Sequence, residues 1–164
     1  MKRTYENATA KAVAYLERKM RTEGQVREKL HELGYSDDEI TEAVQELKES
    51  LLLDDEEYAK LYVEGRQNTR PTSRRALTHK LKERKVPDAI IEEAVCAIDD
   101  EKEMENAYNE AVAYMRINIR KESDKRKLFG RITRRLLSHG YTYSTANEAV
   151  SAAFEDVSEE MADF

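Results

Sequence analysis

The stretch Lys29–Leu47, KLHELGYSDDEITEAVQEL, returns in altered form at Lys80–Ile98, KLKERKVPDAIIEEAVCAI, and again at Arg135–Ala153, RLLSHGYTYSTANEAVSAA. The copies align without gaps at offsets of 51 and 106 residues. Each carries a basic residue followed by Leu (Lys29-Leu30, Lys80-Leu81, Arg135-Leu136) and a Glu-Ala-Val triplet ending at Val44, Val95 or Val150. The first and third share Gly-Tyr at Gly34-Tyr35 and Gly140-Tyr141; the second has Lys85-Val86 followed by Pro87. A catalytic motif normally occurs once. A unit repeated at a period near 50 residues marks an array of stacked helical modules.

Within each copy the apolar spacing is that of a helix. Ile40, Ala43, Val44 and Leu47 fall at i, i+3, i+4 and i+7, as do Ile91, Ala94, Val95 and Ile98, and then Ala146, Ala149, Val150 and Ala153. Upstream, Val26, Leu30 and Leu33 form a second stripe, answered by Leu77 and Leu81 and by Ile132 and Leu136. Gly34 and Gly140 are placed to end helices in the left-handed conformation, where glycine has no Cβ to clash. Ser36-Asp37-Asp38-Glu39 has the form of a capping box, Thr22-Glu23-Gly24-Gln25 opens another helix, and Pro87-Asp88 opens its counterpart. Asp54-Asp55-Glu56-Glu57 puts negative charge where a helix dipole favours it.

These signals predict three helices per copy: 5–20, 23–33 and 37–50; then 55–68, 73–84 and 88–99; then 101–120, 124–139 and 144–160. No window alternates apolar and polar residues over strand length. The expected fold is all-α, three tandem three-helix repeats at 5–50, 51–99 and 100–160, in an elongated, curved array.

The chain has 164 residues, 38% of them charged and 40% hydrophobic, with a formal net charge of −6. That total argues against nucleic acid as a partner, but the charge is sorted along the chain. Arg66–Lys85 holds eight Lys and Arg against one Glu, a net +7, and Arg116–Arg135 is again +7. Asp88–Glu110 is −8 and Ser36–Glu57 is −9. The middle helix of each later repeat is basic and the third acidic. Stacked in one sense, equivalent helices align their cations into a stripe able to follow phosphates or an acidic protein groove. Only Phe129 lies inside either basic block, so base-specific reading is not expected. Tyr58, Tyr62, Tyr108 and Tyr114 are expected in packing.

Catalytic chemistry is not expected. The single cysteine, Cys96, excludes an internal disulfide and reads as a small buried hydrophobe. His31, His79 and His139 lack metal-ligand spacing and read as surface residues. Helix-start caps explain Asp54-Asp55, and Asp99-Asp100 precedes a further acidic helix start. There is no glycine-rich phosphate loop. No enzyme activity, metal or cofactor is expected. With no apolar run of membrane-spanning length and no signal-peptide core in MKRTYENATAKAV, a cytoplasmic protein is expected. The acidic ending FEDVSEEMADF, able to cap the array, suggests a monomer.

The run Leu51–Arg66, LLLDDEEYAKLYVEGR, resembles the signature of the RecX regulatory proteins: Leu-Asp-Asp, an aromatic-Ala pair, then Tyr-Val and a basic residue. Leu53-Asp54-Asp55, Tyr58-Ala59, Tyr62-Val63 and Arg66 fill those places. Arg18, Arg21-Thr22-Glu23 and Lys29-Leu30 are similar to the family's opening repeat, and KLFGRITRRLLSHGYTYSTANEAV resembles its closing one. Two departures stand out: Thr72-Ser73 follows Pro71 where the family usually has Gly, and Arg84-Lys85 stands where Lys-Gly is usual. The resemblance implies a modulator of the RecA recombinase that binds in the groove of the RecA–DNA filament and restrains strand exchange, ATP turnover and co-protease activity. On that reading Arg66, Arg70, Arg74, Arg75, Lys80, Arg126, Lys127, Arg131, Arg134 and Arg135 would contact DNA phosphates or acidic side chains of the filament. Two rivals are a stand-alone nucleic-acid-binding module and an adaptor for another helical partner.

Overall fold

The computed structural model describes residues 7–162, with side chains to Val157, and among them finds nine helices and no strand. They are α1 (Ala8–Leu16), α2 (Glu23–Glu32), α3 (Asp37–Glu49), α4 (Asp55–Thr69), α5 (Arg74–Glu83), α6 (Asp88–Cys96), α7 (Asp100–Asn118), α8 (Lys125–Ser138) and α9 (Tyr143–Ala162). The protein is thus an all-α helical repeat. The predicted start of α1 at residue 5 lies outside the described residues, and its end comes earlier than the predicted residue 20. No described helix is long and apolar enough to cross a membrane.

The chain forms two compact units. One runs to Gly65 and adds His79–Ala94; the other takes Arg66–Thr78 and continues from Val95. In the first, α1, α2 and α3 pack on one another around Val26, Leu30, Ile40, Ala43, Val44 and Leu47. In the second, α7, α8 and α9 do the same around Met115, Leu128, Ile132, Leu136, Tyr141 and Val150. The helices α4, α5 and α6 each contribute residues to both units.

The repeated stripes become core. Val26, Leu77 and Ile132 are at most 1% exposed, and so are Leu30, Leu81 and Leu136. Each such side chain contributes about 1.5–3 kcal/mol by leaving water. Three expectations fail. Leu33 is half exposed because α2 ends one residue earlier and Leu33 is its C-cap. Ala94 and Val95 are only half buried, at the end of α6, which is shorter than predicted. Cys96 closes that helix, past the face that buries Ile91, and its thiol is exposed rather than buried.

The caps form as predicted at Thr22 and Ser36, each a complete capping box. Asp54 caps α4 through the Glu57 N–H (3.0 Å) and Asp99 caps α7 through the Lys102 N–H (2.7 Å). Helices α2, α3, α5 and α8 all end in the same left-handed corner, at Gly34, Leu51, Lys85 and Gly140, with φ of 86°, 56°, 62° and 93°. In each, the following amide reaches back to a carbonyl in the last turn: Tyr35 to Leu30, Leu52 to Leu47, Val86 to Leu81, Tyr141 to Leu136. Lys85 therefore keeps the corner geometry that glycine supplies in the other copies.

These corners are also joints. Thr22, fully buried at the start of α2, donates its hydroxyl to the carbonyl of Arg84, one residue before the Lys85 corner. Ser73, fully buried at the start of α5, donates to the carbonyl of His139 (2.6 Å), one residue before the Gly140 corner. Thr22 and Ser73 are 51 residues apart, and Arg84 and His139 are 55 apart, so the same bond is made twice in repeat register. A carboxylate reinforces each joint. Asp55 accepts the N–H of Glu23 (2.8 Å), and Glu103 accepts the N–H of Arg74 (3.0 Å).

Burial raises the pKa of both carboxyls above the ordinary range. For Asp55 the nearby Glu23 and Asp54 add to the rise, while the Glu23 N–H opposes it. A raised folded-state pKa means stability that is complete below about pH 4, the unfolded carboxyl value, and is lost as pH rises through the folded value. Asp55→Asn keeps an acceptor for Glu23 and removes the charge. Its melting temperature is expected to exceed that of wild type at pH 7, with the gap closing towards pH 4; thermal denaturation at the two pH values checks this.

Candidate functional site

Helix α8 sorts its two faces cleanly. Leu128, Ile132 and Leu136 are buried, while Lys127, Arg131 and Arg134, at i, i+4 and i+7, lie on the side turned away from them and are exposed. The three form one cationic row within the second unit. Each has some internal engagement. Lys127 lies 4.0 Å from Asp124, Arg131 pairs with Glu122 at 3.2 Å, and Arg134 donates from Nε to the carbonyl of Gly130. Exposed pairs of this kind are worth about 0–1 kcal/mol, so a phosphate or external carboxylate displaces them at little cost.

Arg126 is on a different side of α8. It lines a shallow apolar cleft with Lys125, Phe129, Gly130 and Phe154, in which the two rings are 5.6 Å apart. Arg70 and Arg75, either side of the turn between α4 and α5, are exposed and form no described side-chain pair. Arg66 is half buried one turn before Arg70. Lys80 belongs to the first unit and pairs with Glu83 at 2.8 Å.

Two candidates are engaged with acids of their own unit. Arg74 bonds Asp100 (2.6 Å) and the carbonyl of Ile98 (3.3 Å), and its Nε is 3.8 Å from Glu103. The hydrogen bond to Asp100 raises its pKa above the already high arginine value. Arg135 pairs with Glu110 (3.0 Å) and lies over the ring of Tyr114 at 5.2 Å. His139 also meets Glu110 and is half buried, unlike exposed His31 and His79, so it is no plain surface residue. The tyrosines pack: Tyr58 is 7% exposed and stacked with Tyr62, and Tyr108 donates to Asp156 at 2.6 Å. Among the described residues no group of three or more His, Cys, Asp or Glu is arranged to hold a metal.

Sequence reasoning missed the joint residues and Phe154. Thr22 and Ser73 stand at the repeat offset and were open to discovery from the alignment. Asp55 and Glu103 are 48 apart, out of register, and gave no such signal. Phe154 reaches Phe129 only through the packing of α9 on α8.

Two family profiles match the helices just described. "RecX, first three-helix domain" covers residues 8–47, and "RecX, second three-helix domain" covers residues 54–95. The chain belongs to the RecX family. Curated RecX relatives agree: "Regulatory protein RecX" of Clostridium botulinum (strain Alaska E43 / Type E3) is 37% identical over 87% of this chain and 66% of its own length. That of Clostridium perfringens (strain 13 / Type A) is 37% identical over 85% and 65%. The chain thus spans slightly less than two thirds of the length of these relatives. The RecX fold is shared with "Crystal structure of RecX from Lactobacillus salivarius", at a TM-score of 0.79, 24% identity, and coverage of 89% of this chain and 94% of that one.

Proposed function

We propose that this RecX-family chain is a regulatory protein that binds the RecA–DNA filament and mainly inhibits its recombinase, ATPase and co-protease activities. The observation that carries the reading is the cationic row Lys127, Arg131 and Arg134, set on the outer side of a helix in a chain whose relatives are named regulatory proteins. Arg70, Arg75 and Arg126 add exposed cations, whereas Arg74 and Arg135 are engaged with Asp100 and Glu110. The contacts are to DNA phosphates or to acidic side chains of the filament, in the cytoplasm, by a non-enzymatic monomer built of repeats at 5–50, 51–99 and 100–160. Binding occupies a surface and requires no bond to be made or broken in the chain.

The test is the ATPase rate of RecA on single-stranded DNA with and without this protein. A lower rate in the presence of the protein is expected. An unchanged rate at several-fold excess overturns the proposal. A titration of naked DNA separates it from a stand-alone DNA-binding module, for which submicromolar binding with a steep salt dependence is expected.

A further inference from the structure

The four left-handed corners are not equally justified. Glycine fills two of them. Lys85 fills a third, where its Nζ pairs with Glu28 at 2.6 Å and its Cβ rests against Gly24. Leu51 fills the fourth at φ 56° with its side chain 82% exposed. A leucine there bears the Cβ strain of the left-handed region and gains almost no burial in return. Glycine would be both more stable and more soluble at that position. The cost is local and uncompensated within the chain, the pattern expected of a residue kept for an external contact.

Leu51 does not stand alone. Leu52 is 55% exposed and Met20 is 50% exposed, and the three line one small hollow together with Arg21, Asp54 and Glu57. Leu51 also lines an adjoining hollow with Asp54, Glu56 and Lys48, whose ammonium is held by Glu23 at 3.1 Å. Asp54, Glu56 and Glu57 are exposed, and no described cation pairs with them. Arg21 is turned inward over Tyr15, 4.4 Å from the ring centroid. The apolar patch is therefore rimmed by an excess of carboxylates, its two cations being engaged elsewhere, Lys48 with Glu23 and Arg21 over Tyr15. That rim repels phosphates and excludes nucleic acid as the occupant. It complements a protein surface that presents an aliphatic or aromatic side chain beside Lys or Arg.

We infer that Leu51, Leu52 and Met20 form a protein-docking patch that seats a basic-flanked apolar side chain of the regulated partner. This rests on the filament reading above, and it divides the labour: the patch holds protein subunits while the cations of α8 hold phosphates or acids. The experiment measures pelleting of the full chain with recombinase filaments on single-stranded DNA, beside binding to the same DNA without recombinase. Leu51→Gly is expected to raise the melting temperature, to weaken filament binding at least tenfold, and to leave naked-DNA binding unchanged. Leu51→Lys, whose conformation Lys85 shows to be tolerated, is expected to weaken filament binding further by placing like charge against the basic partner. Filament binding of Leu51→Gly at the wild-type level overturns the patch while leaving the filament reading intact. Tighter binding by Leu51→Lys overturns it in favour of a nucleic-acid occupant. A wild-type dimer that Leu51→Gly dissociates overturns it in favour of a second copy of this chain. Wild-type protein that fails to pellet overturns the filament reading, and the patch's partner with it.

Discussion

Gly140→Ala is expected to destabilise the protein by about 3 kcal/mol, and Gly34→Ala by only about 1 kcal/mol, although both glycines occupy left-handed corners. The backbone strain is shared, since φ is 93° at Gly140 and 86° at Gly34. The surroundings differ. A Cβ at Gly140 would stand 2.5 Å from the Ser73 hydroxyl and 3.2 Å from the Ala76 amide, whereas at Gly34 nothing lies within 4 Å. The methyl group therefore displaces Ser73, which at once caps α5 and bonds the carbonyl of His139. Losing the cap and leaving a buried hydroxyl poorly matched adds about 1–2 kcal/mol. For a chain of this length that corresponds to a melting temperature lower by roughly 10 °C. Thermal unfolding of the two variants side by side measures the contribution of the joint beyond the backbone term. Equal losses in the two variants would mean that the joint contributes nothing.

Reversing the cationic row, Lys127→Glu with Arg131→Glu and Arg134→Glu, is expected to weaken inhibition of the recombinase at least tenfold, about 1.4 kcal/mol. Each exposed contact contributes about 0.2–1 kcal/mol, and reversal replaces attraction by repulsion at three places. The helical circular dichroism signal is expected to stay at the wild-type level, because none of the three side chains belongs to the Leu128–Ile132–Leu136 core. Arg74→Ala is the opposite case. It strips the side-chain cation from Glu103, a carboxylate only 8% exposed, and is expected to cost about 1–2 kcal/mol of stability while leaving binding per folded molecule unchanged. Should Arg74→Ala abolish inhibition at full stability, and the triple reversal leave it intact, the contact lies with α5 and not α8.

The helical repeat was legible because its signals are local. Periodicity placed Val26, Leu77 and Ile132 in the core, and cap chemistry set the starts of α2 and α3. Errors gathered where the answer depends on where a helix stops. The early end of α6 exposes Cys96, and no side chain in the sequence announces it; Gly34 announces the corner after α2, but not that its C-cap Leu33 is left half exposed. The candidate site was legible only in part. Runs of charge identified α8 as basic, but charge alone does not distinguish Arg134, bonded to its own helix, from Arg74, which the preceding turn and α7 hold through Ile98, Asp100 and Glu103. That distinction depends on which acids the packing brings near. Leu51 gave no signal for a related reason: it is one of three consecutive leucines, and only its backbone angle and exposure separate it from buried Leu53.

Both hydroxyl-to-carbonyl joints run in one direction, with the donor in the earlier segment and the acceptor in the later. The trio α4–α6 alone carries both halves, Ser73 as donor and the Arg84 carbonyl as acceptor. It is therefore the cassette that tandem duplication multiplies without new chemistry: a spliced second copy meets a hydroxyl behind it and offers one ahead. The shared direction of the two joints gives the chain an arrow as well as a period.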